Sequence, residues 1–184
     1  HTDLAVQHGH LPFPLPGVFG HEGAGTVVSI GDGVTKVAPG DKVALTFNSC
    51  GDCPSCAKGE PAYCHDFLAR NLGGVRPDGT SPISKGGTEI GGNFFGQSSF
   101  ATHSIATERN VVKLPDDADL VAAAPLGCGV QTGAGAVLNS MDCQPGTSLL
   151  VLGGGSVGLS AVMAGKVRDL ATIIVVEPQA GRRD

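Results

Sequence analysis

The feature that most constrains the fold of this chain is a run of four closely spaced cysteines. They occupy 15 residues in the pattern Cys50-x2-Cys53-x2-Cys56-x7-Cys64. Spacings of two residues are short for disulfides and typical of metal sites. Four thiolates match the tetrahedral coordination of zinc, and a shell closed by four cysteines leaves no position for a substrate. The run therefore predicts a structural zinc site inside a small, turn-rich lobe.

Three other interpretations of the cysteine run stay open. An iron–sulfur cluster also uses C-x2-C-x2-C, but the bacterial motif places its fourth Cys after three residues and before Pro, whereas Cys64 follows after seven and precedes His65. Disulfides or free thiols are a second interpretation. The third is a free-standing zinc ribbon that contacts nucleic acid. The net charge of −5 disfavours it, because phosphate binding needs clustered Lys and Arg.

Composition and charge exclude two kinds of partner, membranes and nucleic acids. No apolar run approaches ~18 residues, so no transmembrane helix is predicted, and no polybasic patch marks a membrane surface. We therefore expect neither a membrane nor nucleic acid as a partner. The spacing of the cysteines favours a metal site over disulfides, which fits a reducing compartment, so we expect a cytoplasmic protein.

The chain changes character near residue 116. Before that point, short apolar runs separated by Gly and Pro turns predict a small β barrel or sandwich, with strands in 23–31, 42–47, 100–107 and 110–114. Asp116-Asp117 is predicted to cap a helix through Ala124, and 129–139 is a second helical stretch. A strand at 148–152, a helix at 156–167 and a strand at 172–176 then form one βαβ unit. A parallel sheet needs more than two strands, so we expect this second domain to be incomplete.

A glycine motif, Gly153-x-Gly155-x-x-Gly158, lies between that first strand and the helix. The chain has 29 glycines, so a bare match is weak, and an ordinary βα turn without nucleotide stays open. The context favours a dinucleotide fingerprint, because Glu177 follows 19 residues after the last glycine at the end of the next strand. Glu177 can accept hydrogen bonds from the ribose hydroxyls and would repel a 2′-phosphate, which predicts NAD rather than NADP.

Three further signals are weak when taken singly. His21 lies beside Glu22, and such a pair is usually a surface ion pair, although neutral imidazole is a good zinc ligand. Cys128 lies between two glycines, where a lone Cys is usually a small buried hydrophobe. Arg182 and Arg183 could face a 2′-phosphate, although we favour a solvated helix start.

These pieces, in this order, resemble the zinc-containing medium-chain alcohol dehydrogenases. The resemblance spans essentially the whole chain and is carried by His1-Thr2-Asp3, 20–25, the four cysteines, Gly127-Cys128-Gly129 and the glycine motif. A narrower resemblance to aryl-alcohol (benzyl-alcohol) dehydrogenases is carried by 61–64, 94–103 and 125–136. The family implies a β-rich GroES-like catalytic domain in 1–128, followed by the truncated start of a Rossmann NAD-binding domain in 129–184.

The resemblance also implies roles for single residues. The family's catalytic zinc is held by Cys, His and Cys; His21 and Cys128 match the second and third ligands, and the first would precede His1. Thr2 matches the hydroxyl that relays the substrate proton. The other implied positions are Asp3 behind the zinc ligands, Glu22 as an occasional ligand, His1 near the cofactor pyrophosphate, Thr132 near the nicotinamide, and Gly153, Gly155, Gly158, Glu177 and Arg182 around NAD.

The resemblance implies an enzyme that uses zinc and NAD to interconvert primary aromatic or allylic alcohols and their aldehydes. Two alternatives stay open: another alcohol of the same family, such as a polyol or a formaldehyde–thiol adduct, or a catalytically inactive zinc-binding piece for this stretch alone. We expect a small-molecule substrate and a homodimer or homotetramer.

The chain departs from the family pattern at Asp169. This residue stands where a glycine is usual and a positive φ is needed, so a strained turn is predicted.

Overall fold

The computed structural model of this chain describes residues 1–183. It divides into two compact units, the first from His1 to Gly127 and the second beginning at Cys128. The strands are β1 (Ala24–Thr26), β2 (Lys42–Leu45), β3 (Ser84–Lys85), β4 (Thr88–Glu89), β5 (Val111–Lys113), β6 (Ser148–Leu152) and β7 (Thr172–Val176). The α-helices are α1 (Thr2–Gln7), α2 (Pro54–Ala57), α3 (Phe67–Leu72), α4 (Leu120–Ala123), α5 (Gly129–Gly135) and α6 (Ser156–Val167).

The first unit is built around a three-stranded antiparallel sheet in the order β1-β2-β5. Side chains of the central strand alternate between two buried clusters, because successive residues of a strand point to opposite faces. Val43 and Leu45 pack with Val37 in one cluster, and Ala44 packs with Leu114 in the other. With both faces covered, β2 is a firm support for residues 46–48, which follow it and lead into the cysteine lobe.

Two strand predictions for this unit need correction. The strand expected in 23–31 is only three residues long, and the strand expected in 100–107 is absent. Backbone bonds join Ser99 to Gly20 and Phe100 to Phe19, and no ladder continues beyond them among the described residues. Apolar residues alone do not make a strand when no neighbouring strand edge accepts their backbone groups, and Phe100 is left 69% exposed.

The helix expected after Asp116-Asp117 begins later than predicted. α4 starts at Leu120, and the capping residue is Asp119, whose carboxylate accepts a hydrogen bond from the Val121 N–H at 2.9 Å. Asp119 satisfies a backbone donor of the first turn, which is the physical role that the earlier aspartates were expected to have. α4 passes directly into a 3₁₀ turn, Ala124–Gly127.

The second unit confirms the βαβ pattern at the predicted bounds. β6 and β7 pair in parallel, with Leu149 opposite Ile173 and Val151 opposite Val175, and α6 connects them. Val137, Leu149, Val151, Ala161 and Ala164 form the buried core. The helical stretch predicted at 129–139 is α5 followed by a π-helical turn, Ala136–Ser140.

The turn between α6 and β7 has the strain that the sequence predicts. Asp169 adopts φ of +54°, in the left-handed region where a residue with a Cβ is disfavoured. Its carbonyl accepts a hydrogen bond from the Gly146 N–H at 2.9 Å, and Leu170 bonds back to Gly165 at 3.1 Å. Short polar residues such as Asp tolerate this conformation better than most.

Among the described residues, no single helix has both the length and the apolar character needed to cross a membrane. One broken pair, Leu120–Gly127 with Gly129–Ser140, passes that test on length and composition alone.

Candidate metal and nucleotide sites

The four cysteines of the lobe converge on one point. Their sulfur atoms all lie within 4.8 Å of one another, and they are the only group of three or more candidate ligands that the described part of the chain brings together. The Cys50 sulfur is 3.8 Å from that of Cys56 and 3.5 Å from that of Cys64. Zn–S bonds of about 2.3 Å place the sulfurs of a tetrahedron about 3.8 Å apart, so the donor set fits zinc.

Backbone N–H groups of the lobe point at these sulfurs. The N–H of Cys53 donates to the Cys50 sulfur, and that of Cys50 donates to the Cys64 sulfur, each at 3.3 Å. Hydrogen bonds from the backbone N–H groups of His65 and Cys56 lower the pKa of the Cys53 thiol to about 6. Burial acts to raise the pKa of Cys64, but backbone hydrogen bonds, the largest from Cys50, leave it lowered.

One thiol of the lobe shifts the other way. The hydrogen bond between the Cys50 thiol and Asp52 raises the pKa of Cys50 to about 12. The shifts differ in direction because the Cys50 thiol shares its proton with the Asp52 carboxylate, whereas the Cys53 and Cys64 sulfurs accept hydrogen bonds from backbone N–H groups. A divalent metal would remove the remaining proton, so metal binding here releases protons and is favoured by rising pH.

A buried asparagine ties the lobe to the sheet. Asn71, on α3, is fully buried; its Oδ1 accepts from the Asn48 N–H at 2.8 Å and its Nδ2 donates to the Asn48 carbonyl at 2.9 Å. The Asn71 amide thus bonds both the N–H and the carbonyl of residue 48, as a neighbouring β-strand would. Residue 48 lies two positions before the first cysteine and is fixed by these bonds. Asn71 was not indicated by any spacing in the sequence.

The imidazole of His21 is buried and held by Asp3. The Nδ1 atom of His21 lies 2.8 Å from Oδ2 of Asp3, and Oδ1 of Asp3 accepts the Gly20 N–H at 2.8 Å. Burial acts to raise the pKa of Asp3, but the hydrogen bonds from His21 and Gly20 outweigh it and leave the pKa lowered. The negative charge of Asp3 at 2.8 Å favours a proton on Nδ1, which would leave the lone pair of a neutral imidazole on Nε2. This is the tautomer that a metal ligand needs.

The backbone around His21 is held by a second side chain. Gln97 is buried, and its amide bonds the carbonyl of His21, the carbonyl of Thr46 and the N–H of Gly23. Gln97 follows the 3₁₀ turn Phe94–Gly96, in a stretch used above only for its family resemblance. Nothing in the local sequence indicated that its side chain reaches residue 21.

Aromatic rings surround the buried imidazole. The ring centroid of Phe95 is 5.0 Å from that of His21, and the fully buried Phe94 is 5.9 Å away. Phe95 adopts φ of +49°, a conformation that is strained for an aromatic residue. Its ring also contacts Phe67, which contacts Phe47. An apolar, aromatic wall therefore lies beside the proposed ligand.

The remaining predicted residues of the first unit have simpler surroundings. Thr2 is half-buried and begins α1, His1 is exposed, and the side chain of Glu22 is exposed. The structure thus brings Asp3 to His21 and assembles the four cysteines. It shows no contact that assigns a role to Thr2 or His1.

In the second unit, Cys128 precedes α5 and is partly buried, and Thr132 is exposed on the first turns of that helix. The Thr132 hydroxyl donates to the Cys128 carbonyl at 2.7 Å, as hydroxyls within helices often do.

The glycine motif folds as a tight turn between β6 and α6. Gly153 has φ of +104°, which requires glycine, and a Cβ at Gly158 would lie 1.9 Å from the Gly153 carbonyl oxygen. A Cβ at Gly155 would meet nothing within 4 Å. Gly153 is therefore needed for its backbone conformation and Gly158 for packing. Protein contacts do not explain Gly155, as is expected of a position kept open for a ligand.

Glu177 lies over this turn. Its Oε2 accepts the Gly154 N–H at 2.7 Å and its Oε1 accepts the Gln179 N–H at 2.8 Å. Backbone hydrogen bonds from Gln179 and Gly154 lower the pKa of Glu177, so it is ionised at neutral pH. The Arg182 guanidinium is 3.9 Å from Oε2. The carboxylate is thus held at the end of β7, beside the glycine turn.

The family model and the relatives that match this chain all describe alcohol dehydrogenases. The family model described as alcohol dehydrogenase GroES-like domain matches residues 1–116. A probable alcohol dehydrogenase of a Pseudomonas species is 56% identical over 100% of this chain and 59% of its own length. Geraniol dehydrogenase of Castellaniella defragrans is 49% identical over 100% of this chain and 49% of its own length.

A solved structure extends the likeness to the fold. The crystal structure of benzyl alcohol dehydrogenase from Acinetobacter calcoaceticus is similar to this chain with a TM-score of 0.94 at 43% identity, over 99% of this chain and 50% of that one. The chain spans about half the length of the relatives it matches. The four-cysteine lobe, the βαβ unit and the family match together confirm the fold class, and the chain belongs to the zinc-containing alcohol dehydrogenases with a GroES-like domain.

Proposed function

We propose that the whole protein is an NAD-dependent zinc alcohol dehydrogenase that acts on primary aromatic or allylic alcohols and their aldehydes. The observation that carries this proposal is the buried imidazole of His21. Asp3 lies 2.8 Å from its Nδ1 atom and is proposed to favour the tautomer that a metal requires, and the imidazole lies against the ring of Phe95. Relatives named for geraniol and benzyl alcohol support the substrate class, since both alcohols are primary and have an unsaturated group at the carbinol carbon.

The cysteine lobe is proposed as the structural zinc site. Four sulfurs in tetrahedral spacing close the coordination shell, so no substrate atom can enter it. Its contribution is stability: residues 48–71 form short elements that depend on turns, and a metal bond among their sulfurs replaces the hydrophobic core that so short a segment lacks.

His21 is proposed as a ligand of the catalytic zinc, and Cys128 is proposed as another on the family pattern alone. When bound, zinc acts as a Lewis acid that lowers the pKa of the substrate hydroxyl. The chain's own residues do the rest. Asp3 is proposed to keep the proton of His21 on Nδ1, the Thr2 hydroxyl is proposed to accept and pass on the substrate proton, and Glu22 is proposed as an occasional ligand. The aromatic wall beside His21 is proposed to exclude water from the reacting carbon.

The glycine turn and Glu177 are proposed to bind NAD. Gly155 leaves room for the pyrophosphate at the N-terminus of α6, and the ionised Glu177 is proposed to accept the ribose hydroxyls and repel a 2′-phosphate. His1, Thr132 and Arg182 are proposed as further cofactor contacts. We propose a homodimer or homotetramer in the cytoplasm, where thiolates stay reduced.

The test is a substrate comparison on the protein expressed from its complete coding sequence. We expect kcat/KM for benzyl alcohol and geraniol to exceed that for ethanol and for a polyol by at least about tenfold, since each apolar contact contributes to transition-state binding. NAD should be preferred over NADP. Equal or better turnover of a polyol or a formaldehyde–thiol adduct would contradict the substrate class.

Two histidine variants test the metal role in the same protein. His21→Ala should abolish turnover and remove about one zinc per chain, because the buried ligand is lost. His103→Ala is the matched control, since His103 is an exposed histidine of the same unit and should leave activity and zinc content unchanged. Retention of full activity by His21→Ala would contradict the proposal.

A further inference from the structure

The side chain of Gln97 makes three hydrogen bonds that the proposed chemistry does not use. It is only 2% exposed. Its Nε2 donates to the carbonyl oxygens of His21 at 3.0 Å and Thr46 at 3.3 Å, and its Oε1 accepts the Gly23 N–H at 3.0 Å. Both hydrogens of Nε2 are engaged, and the amide oxygen faces a donor. A buried amide with this arrangement is well satisfied and therefore has one preferred orientation.

These bonds lie on both sides of Glu22. One reaches the carbonyl of His21, and another reaches the N–H of Gly23, so a single amide holds the backbone of the proposed ligand from its C-terminal side. The imidazole of His21 is held separately, by Asp3 at Nδ1. A metal ligand must keep its donor atom within about 0.5 Å of its working position, and this requires that both ring and backbone be held.

The surroundings of Gln97 are shaped to admit its amide. A Cβ at Gly23 would lie 2.7 Å from the Gln97 Oε1 atom, so only glycine permits this approach. The backbone of Gln97 is anchored as well: its N–H donates to the Phe94 carbonyl at 3.0 Å, and its carbonyl accepts the Ser104 hydroxyl. The amide is therefore presented from a fixed turn and needs no rearrangement to reach His21.

We propose that Gln97 is a positioning residue that fixes the backbone of His21 and, through it, the orientation of the imidazole. This rests on the proposed role of His21 as a metal ligand. Glutamine is suited to the task because it donates to two carbonyls and accepts from one N–H at the same time. Glutamate would place a carboxylate oxygen against the carbonyls of His21 and Thr46, and leucine would leave the Gly23 N–H without its acceptor.

The test compares Gln97→Leu with Asn110→Leu. Asn110 is the matched control because it is also fully buried and also donates to the Thr46 carbonyl, at 3.3 Å, whereas its other side-chain bonds go to Thr107, Phe95 and Gly96. Both variants lose a buried amide, so both should lower the melting temperature. A lower melting temperature therefore does not distinguish the two variants, and the distinguishing measurement must report on the ring and backbone of His21.

Two readouts report on His21 directly, both on the whole protein with the zinc of the cysteine lobe kept and no metal at His21. The ring nitrogens of His21, observed by ¹⁵N NMR, should show the Nδ1–H tautomer in the wild type and in Asn110→Leu, and a mixture of tautomers or ring orientations in Gln97→Leu. Hydrogen exchange of the Gly23 amide should become faster by about tenfold in Gln97→Leu, the factor expected for loss of one hydrogen bond, and should change less in Asn110→Leu.

The outcomes are distinct. A wild-type His21 spectrum and a protected Gly23 amide in Gln97→Leu would overturn the proposal and make Gln97 a purely structural residue. If Gln97→Leu does not fold, Gln97→Glu, which keeps the size and shape of the side chain, should show the same altered ring signals, and an unaltered spectrum there would also overturn it. If His21→Ala in the whole protein keeps its zinc, the proposed function fails, while these spectra still decide the role of Gln97.

Discussion

The two regions proposed to bind zinc differ in how far along the chain their parts lie from one another. In the cysteine lobe, all four ligands and the N–H groups that point at them come from residues 50–66. At His21, the ring is held by Asp3 near the beginning of the chain, and the backbone is held by Gln97, 76 residues away. One site is a local loop, and the other is assembled by the fold.

This difference has a consequence for stability. A local site depends on a few turns and on the metal that joins them, so loss of the metal should unfold the lobe and little else. A site assembled from distant segments depends on the surrounding sheet and on buried amides, so it should persist without metal. The predictions below separate these two behaviours.

The largest effect is expected in the lobe. Cys53→Ser should remove about one tightly bound zinc per chain, because three thiolates cannot complete the tetrahedral shell. Zinc content is measured by mass spectrometry after exhaustive dialysis. Cys143→Ser is the matched control, since Cys143 is a partly buried cysteine of the second unit. Unchanged zinc in Cys53→Ser, or iron in the wild type, would contradict the assignment.

A second local motif, the glycine turn, should separate packing from ligand binding. Gly158→Ala places a Cβ 1.9 Å from the Gly153 oxygen and should cost about 2–3 kcal/mol of stability, as overpacking commonly does. Gly155→Ala meets open space and should leave stability nearly unchanged while weakening NAD binding. Thermal unfolding and cofactor titration of the two variants measure this. Equal losses of stability would contradict the division.

A smaller effect is expected at His21, the site that the fold assembles from distant segments. Asp3→Asn keeps the size of the side chain but removes the charge that holds the proton on Nδ1 of His21. We expect zinc at the catalytic site of the whole protein to bind about 10–100-fold more weakly, as is typical when the partner of a metal-bound histidine is changed. Chelator competition measures the affinity. Asp41→Asn removes another hydrogen-bonded carboxylate of the same unit and should leave zinc binding unchanged.

The smallest effect concerns acid stability away from either site. Glu108 accepts backbone N–H groups from Lys36 and Thr35, which lower its pKa. A lowered folded-state pKa means that the contribution is present above the unfolded value of about 4.3 and is lost as the pH falls through the folded value. Thermal melts of Glu108→Gln should therefore lose less stability than the wild type between pH 5 and 3. A parallel loss in both proteins would show that these bonds contribute nothing.

The sequence predicted the second unit better than the first. β6, α6 and β7 have the predicted bounds. The backbone groups of the helix are satisfied within the helix, and each of the two strands pairs with the other strand of the same βαβ unit, so neither needs a partner from a distant part of the chain. In the first unit, the run 100–107 has the composition of a strand but forms none. Whether such a run pairs depends on a partner edge elsewhere in the chain, which its own residues do not specify.

By itself, the sequence determined the elements whose parts are neighbours along the chain. The cysteine spacing indicated a four-sulfur cluster, the glycine motif indicated a glycine turn between a strand and a helix, and Asp169 indicated a strained turn with positive φ. In each case a few consecutive residues decide the geometry, because spacing and backbone sterics act over short range.

Only the tertiary structure decided what holds His21. The ring against Phe95, the bond from the Gln97 amide and the support of residue 48 by Asn71 all join segments that lie far apart in sequence. The physical reason is that a buried polar group must find a partner, and which partner it finds depends on which segments the sheet and the aromatic cluster bring together.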